Sequence, residues 1–213
     1  MATPYETVLT KWTDLAEELN GRESDVYVCP NILGYYDRKA KPSSFGNEPS
    51  SDSIVVTSGG MVTRLHQWFG RRRKSPSIGK KLVAVLTWMY DRGSLGGNAN
   101  LCHVFLLLID FRADNAPYDV YLYEPMEVCR DNPERVAPPR LIIKMYQMSE
   151  KQGMPVITTG SRGLYVYGDQ KAHEKTCFPK VMRLTRKLWL KGAENGLNWL
   201  KQSFRTQTIT RYC

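Results

Sequence analysis

Residues 103–124 read His-Val-Phe-Leu-Leu-Leu-Ile-Asp-Phe-Arg-Ala-Asp-Asn-Ala-Pro-Tyr-Asp-Val-Tyr-Leu-Tyr-Glu. Two apolar runs flank Arg112-Ala-Asp-Asn-Ala-Pro117, where Asp, Asn and Pro supply a turn signal. The pattern predicts an antiparallel hairpin of strands 103–110 and 117–124. Closed tightly across 111–116, it sets Phe105 against Leu122, Leu107 against Val120 and Ile109 against Tyr118, an apolar face suited to a core. The same register sets His103 against Glu124. Directly opposed Cβ atoms lie about 4.5–5.5 Å apart, so an imidazole and a carboxylate there can hydrogen-bond. A carboxylate so placed fixes a histidine tautomer and supports the imidazolium. An ordinary cross-strand ion pair fits the same two residues equally well.

Outward from the hairpin, Lys81–Tyr90, Val156–Thr159 and Leu164–Tyr167 read as strands, and the apolar stretch Asp25–Cys29 stops at Pro30. Residues 5–20 carry Val8, Leu9, Trp12, Leu15 and Leu19 at helical spacing and end at Asn20-Gly21. Further helices are predicted at Met61–Phe69, at 139–152 before Gly153, at Pro179–Lys191 before Gly192, and at Leu197–Phe204. Lys39–Ser53, rich in Ser, Pro, Gly and Asn, reads as a surface loop, and Gly70–Lys81 as a basic connector. Strands in the middle with helices before and after them imply an α+β class: a central mixed or antiparallel sheet flanked by helices, in one domain over 1–213.

The 213 residues are 42% hydrophobic and 24% charged, a globular balance. No run approaches the roughly 20 apolar residues of a membrane span. Met1–Asn20 is acidic and polar and lacks a signal-peptide core. The expectation is a soluble intracellular protein with no membrane partner. Five cysteines, at widely spaced positions and without a CxxC pair, argue for free thiols in a reducing compartment and against a zinc ribbon, so no metal is expected. The net charge of +9 is clustered: residues 171–213 hold ten Lys or Arg against two acidic residues. A second basic knot is Arg71-Arg72-Arg73-Lys74. These four, with Lys180, Arg183, Arg186 and Lys187 on the predicted helix, are candidate contacts to nucleic acid. A solvated helix face explains the same charges.

Thr176-Cys177-Phe178-Pro179 precedes that helix. Proline is favoured in a first helical turn, where its missing N–H costs nothing, which puts Cys177 at or just before the N-terminus. The dipole and free N–H groups there stabilise a thiolate, the reactive form of cysteine. A small buried cysteine at a helix start is the competing reading. His173, in the loop before Cys177, rivals His103 as base, and His66 lies in an amphipathic stretch that suits packing. Cys102 falls on the strand face opposite His103.

The order His103, Glu124, Gln170, Cys177 resembles the adenovirus maturation protease family (adenain), whose wider clan includes the SUMO-deconjugating proteases. Ile32-Leu33-Gly34-Tyr35-Tyr36-Asp37-Arg38 is similar to the family's Leu-Gly-x-Tyr-Asp segment, and Gly96-Gly97…His103 to its Gly-Gly-x-His strand. Tyr121-Leu122-Tyr123-Glu124-Pro125 is similar to Tyr-Leu-Phe-Glu-Pro, and Gln170 stands seven residues before Cys177, as the family's oxyanion glutamine does. The resemblance runs along most of the chain, with an apparent surface insertion near 46–80. It departs at Val104, where the family has Trp, and at Phe178, where it has Gly.

The resemblance implies a cysteine endopeptidase of an adenain-like fold: Cys177 as nucleophile, His103 as base, Glu124 as orienting acid, Gln170 in the oxyanion hole. It implies no cofactor for the chemistry, viral precursor proteins as substrates during virion maturation, DNA as an activator, and the host nucleus and virion as location. The family's activating peptide is joined through a cysteine, and Pro155-Val156-Ile157-Thr158, where that linkage would fall, has none. Phe178 is expected to narrow the site or to alter the backbone that supports the oxyanion hole. The alternatives are a deconjugating protease of ubiquitin-like proteins, an acyltransferase using the same residues, and an inactive basic nucleic-acid-binding protein.

Overall fold

The computed structural model describes residues 4–36, 54–57, 79–90, 103–113, 118–126, 163–170 and 176–208. Helix α1 (Pro4–Asn20) opens the chain. Strands β1 (Val26–Tyr36), β2 (Ile54–Thr57), β3 (Leu82–Tyr90), β4 (His103–Asp110), β5 (Asp119–Met126) and β6 (Gly163–Gln170) follow. Helices α2 (Cys177–Lys191) and α3 (Ala193–Ser203) and strand β7 (Arg205–Thr208) complete the described elements. The strands form one seven-stranded sheet in the order β2-β1-β3-β4-β5-β6-β7. Pairing is parallel for β2/β1, β1/β3 and β5/β6, and antiparallel for β3/β4, β4/β5 and β6/β7. The fold is α+β with a mixed sheet, as expected.

One face of the sheet, carrying Val28, Leu82, Ala84, Val104, Leu106, Leu108, Tyr121, Tyr123 and Val166, packs against α1, α2 and α3. Trp12, Leu15, Ala16 and Leu19 bury the inner side of α1, and the Trp12 indole N–H donates to the Cys29 carbonyl at 2.7 Å. Truncating such a buried aromatic to Ala costs about 3–5 kcal/mol. Val181, Leu184 and Leu188 do the same for α2, and Leu197 and Leu200 for α3. The other face, with Val83, Val85, Phe105, Leu107, Ile109, Val120 and Leu122, is buried as well. Central strands covered on both sides read as continuous apolar text rather than alternation, which is why Val104–Ile109 carries no polar residue.

Two caps hold the helices to the sheet. β2 pairs only with Leu33–Tyr36, so it does not cover the first half of β1. The Asn20 side chain does so instead, donating to the Val28 carbonyl at 2.7 Å and accepting the Val28 N–H at 3.0 Å. The turn between α2 and α3 is a single Gly192 at φ 76°, a left-handed conformation that glycine adopts without strain. Beside it, Asp25 Oδ1 accepts the Ala193 N–H at 2.9 Å and so caps α3 from the far side of the chain.

Two expectations need correction. β1 does not stop at Pro30 but runs on to Tyr36. A register shift between Cys29 and Leu33 absorbs the proline, which cannot donate to a ladder. Within the segment expected as a surface insertion near 46–80, residues 54–57 form β2, at one end of the described sheet. The hairpin register is displaced by two residues: Leu107 pairs with Leu122, Ile109 with Val120 and Asp110 with Asp119. Phe105, not His103, therefore stands opposite Glu124. The cause lies in the turn. Arg112 Nε and Nη2 grip the buried Asp110 carboxylate at 2.9 and 2.7 Å, and Phe111 meets Tyr118 edge to face at 4.5 Å. These contacts close the loop on the Asp110–Asp119 pair. The helices at Met61–Phe69 and 139–152 and the strand at Val156–Thr159 lie outside the described residues.

Candidate active site

His103, Glu124 and Gln170 arrive at one end of the sheet. β4 begins at His103, whose backbone pairs with Met89 of β3. β5 runs antiparallel to β4 and ends just beyond Glu124, at Met126. β6 is parallel to β5 and ends at Gln170, the partner of Met126. Continuing the β4/β5 register sets His103 level with Met126, in one transverse row with Gln170. His103 and Glu124 then hold diagonal positions on neighbouring strands, a relation of about 7–8 Å.

Cys177 is the first residue of α2, as the Pro179 argument predicts. The Lys180 N–H donates to the Thr176 carbonyl at 3.0 Å and closes the first turn around it. The thiol is half-buried and takes no part in a disulfide, and no acidic residue occupies the first turn. The helix-start N–H groups are thus aimed past Cys177 with no carboxylate of the same turn competing for them. The Thr176 hydroxyl is buried and has no hydrogen-bond partner among the described residues. This turn is fastened to the sheet end: Lys180 Nζ reaches Asp169 Oδ1 at 2.6 Å, and Asp169 immediately precedes Gln170. Phe178 is half-buried and packs against the helix-side core.

Glu124 is 1% exposed. Strand alternation puts it on the face of Phe105 and Leu122, away from α2, with Tyr167 as its β6 partner. The Tyr167 hydroxyl is held above its ordinary pKa by burial first and the Glu124 charge second. Tyr123 is raised too, by burial, then by the charges of Asp169 and Glu124. Cys177 packs against the core on the opposite face. Any traffic between thiol and carboxylate must therefore pass around the end of the sheet. The ladder is broken at that point: the β5/β6 register shifts between Glu124 and Met126, across Pro125. Gly168 makes the shift possible by letting β6 backbone press against Pro125.

Among the candidate nucleic-acid contacts, Lys180 is engaged by Asp169, and Arg186 grips Glu18 through two bonds of 2.6 and 2.7 Å. Glu18 is held below the usual carboxylate range by that guanidinium. Lys187 stacks over Trp199 at 4.3 Å, and Arg183 is exposed. Arg71, Arg72, Arg73 and Lys74, and the rivals His66 and His173, lie outside the described residues. Sequence reasoning missed the Lys180–Asp169 link and the Gly168–Pro125 approach. A lone glycine inside strand text, Gly168, was the available signal for the second. Among the described residues no three His, Cys, Asp or Glu side chains gather to hold a metal ion, and no helix is long and apolar enough to cross a membrane.

Solved structures similar to this chain include the following two. AvrA delL154 with IP6 and CoA matches at 16% identity and a TM-score of 0.47, over 92% of this chain and 57% of its own. The chain thus spans little more than half of AvrA. The SUMO protease Ulp1, with its catalytic cysteine oxidized to a sulfinic acid, matches at 10% identity and a TM-score of 0.45, over 91% of this chain and 72% of its own. No family model and no curated protein matches the sequence.

Proposed function

We propose that the chain is a cysteine endopeptidase, with Cys177 as nucleophile, His103 as base, Glu124 as orienting carboxylate and Gln170 as oxyanion donor. One observation carries this reading. The half-buried Cys177 thiol begins α2, and the first turn of α2 is tied to the strand end where His103, Glu124 and Gln170 lie. In the proposed reaction His103 takes the thiol proton, and the Cys177 sulfur attacks a peptide carbonyl. The oxyanion is received by the Gln170 amide and the Cys177 N–H. His103 then gives the proton to the departing amine, and water releases the acyl group from sulfur. Glu124 orients the imidazole and supports the imidazolium that forms.

The resemblance to the adenovirus maturation proteases supplies the finer reading: viral precursor proteins cut beside glycines during particle maturation, in nucleus and virion, with DNA as an activator. The exposed Arg183 and Lys187 of α2 support an anionic partner.

The test is reaction with an acyl-reactive thiol probe, with and without DNA, followed by mapping of the modified residue. Selective labelling of Cys177, with cleavage of a Gly-Gly peptide, supports the proposal. Labelling without cleavage but with transfer of an acyl group to an amine favours the acyltransferase. An unlabelled Cys177, with steeply salt-dependent DNA binding, favours the inactive nucleic-acid-binding reading.

A further inference from the structure

Two of the bonds of Lys180 lie at the start of α2. Its N–H closes the turn that contains Cys177, through the Thr176 carbonyl at 3.0 Å. Its ammonium joins that turn to β6 through Asp169 at 2.6 Å. The two ends of the ion pair sit in unlike surroundings: the Lys180 side chain is 17% exposed and that of Asp169 90%. An ion pair whose carboxylate stands in water adds little to stability, because solvent screens it. A partly buried lysine stem has by contrast lost some of its rotamer freedom, which limits where its head group lies. The hydrogen bond to Lys180 also holds the Asp169 carboxyl below its ordinary pKa.

From this geometry we infer that the Lys180–Asp169 pair is a positioning device that sets the Cys177 sulfur against the Gln170 end of β6. The inference rests on the endopeptidase reading above. Lys180 follows Cys177 by three residues, so the two share one side of the first turn. Asp169 is adjacent to Gln170 along the strand. One bond therefore couples the turn bearing the nucleophile to the strand bearing the oxyanion donor. Neither residue touches the reacting atoms in this scheme. They act by limiting how far the two strand and helix ends can drift, and a drift of about 1 Å can cost on the order of a hundredfold in rate.

The experiment compares Lys180→Met, Asp169→Ala and Lys180→Arg with the unaltered chain on a fluorogenic Gly-Gly peptide, alongside melting temperature and iodoacetamide alkylation of Cys177. The expected result for Met and Ala is a kcat lower by about ten- to a hundredfold, with KM and melting temperature little changed and Cys177 still fully alkylated. Lys180→Arg, which keeps the ion pair, restores most of kcat. Unchanged kcat in both variants overturns the inference, as does a loss of kcat that only follows a fall in melting temperature. If the unaltered chain neither cleaves the peptide nor is alkylated at Cys177, the endopeptidase reading itself falls, and this inference with it.

Discussion

A Cβ added to Gly168 would stand 2.2 Å from the carbonyl oxygen of Pro125, closer than any side chain is tolerated. The next neighbours, Pro125 C and Cα at 2.7 and 2.9 Å, are backbone too, so no flexible side chain can yield. The contact lies where the β5/β6 register shifts, one residue past Glu124. Gly168→Ala should therefore destabilise the fold by at least the roughly 1–3 kcal/mol of an overpacked core position. A urea midpoint equal to that of the unaltered chain would show that the two strands do not meet this closely.

Glu124 is a carboxylate with almost no access to water. Glu124→Gln keeps its shape and most of its hydrogen-bonding capacity. If the residue orients His103, kcat should drop by about 10²–10⁴, as for the orienting acid of a triad, with the urea midpoint nearly unmoved. A variant that loses stability but keeps its rate would make Glu124 a structural partner of Tyr167 only.

Gln170 ends β6 level with Met126. Gln170→Ala should lower kcat by about 10²–10³, the effect of removing one oxyanion donor, while leaving acyl-probe labelling of Cys177 in place. Cys177→Ala should abolish both. Full activity in Gln170→Ala would remove it from the oxyanion hole.

Alkali should unfold the protein through its buried tyrosines. Tyr121 is pushed up to about 12 from 10.0, by burial first and then by the charges of Asp110 and Asp119. Burial likewise raises Tyr27, Tyr123 and Tyr167. In each case the folded pKa lies above the unfolded one. The stability these phenols contribute is complete below about pH 10 and is lost as pH climbs through the folded values, because only the unfolded chain ionises readily. Tyrosinate absorbance should rise together with loss of helix. Ionisation of all twelve tyrosines near pH 10 with the fold intact would contradict the burial.

Asp25 caps α3 across a long sequence separation, through the Ala193 N–H at 2.9 Å. Asp25→Ala should cost about 1 kcal/mol, the usual effect of losing a cap. Asp25→Asn, which retains the acceptor, should cost less. Equal losses for both would mean that the carboxylate charge, rather than the hydrogen bond, is what matters at this helix start.

Much of the architecture was legible in the chain because its signals are local. Trp12, Leu15 and Leu19 fall on one side of α1 at helical spacing, and Asn20-Gly21 marks its end. Pro179 puts Cys177 at the start of α2, and Gly192 ends it. The apolar texts at 82–90 and 103–110 could only be covered strands. The extension of β1 past Pro30 was not legible, since a proline is a stop signal until a register shift accommodates it. Strands β2 and β7, of four residues each, carry too little text to stand out.

The hairpin marks the boundary between the two kinds of information most sharply. Alternation with a period of two determined which residues share a face, so Phe105, Leu107 and Leu122 were correctly grouped. It could not determine their pairing, because a slip of two residues leaves every side chain on its own face. That choice fell to tertiary contacts at the turn, the Arg112–Asp110 bonds and the Phe111–Tyr118 rings, which moved Glu124 from His103 to Phe105. The sequence by itself thus determined the elements, their faces and the residues with chemistry to offer. Only the folded chain decided their mutual distances, since those depend on close approaches such as Gly168 to Pro125 and Lys180 to Asp169, between backbones that the local pattern does not connect.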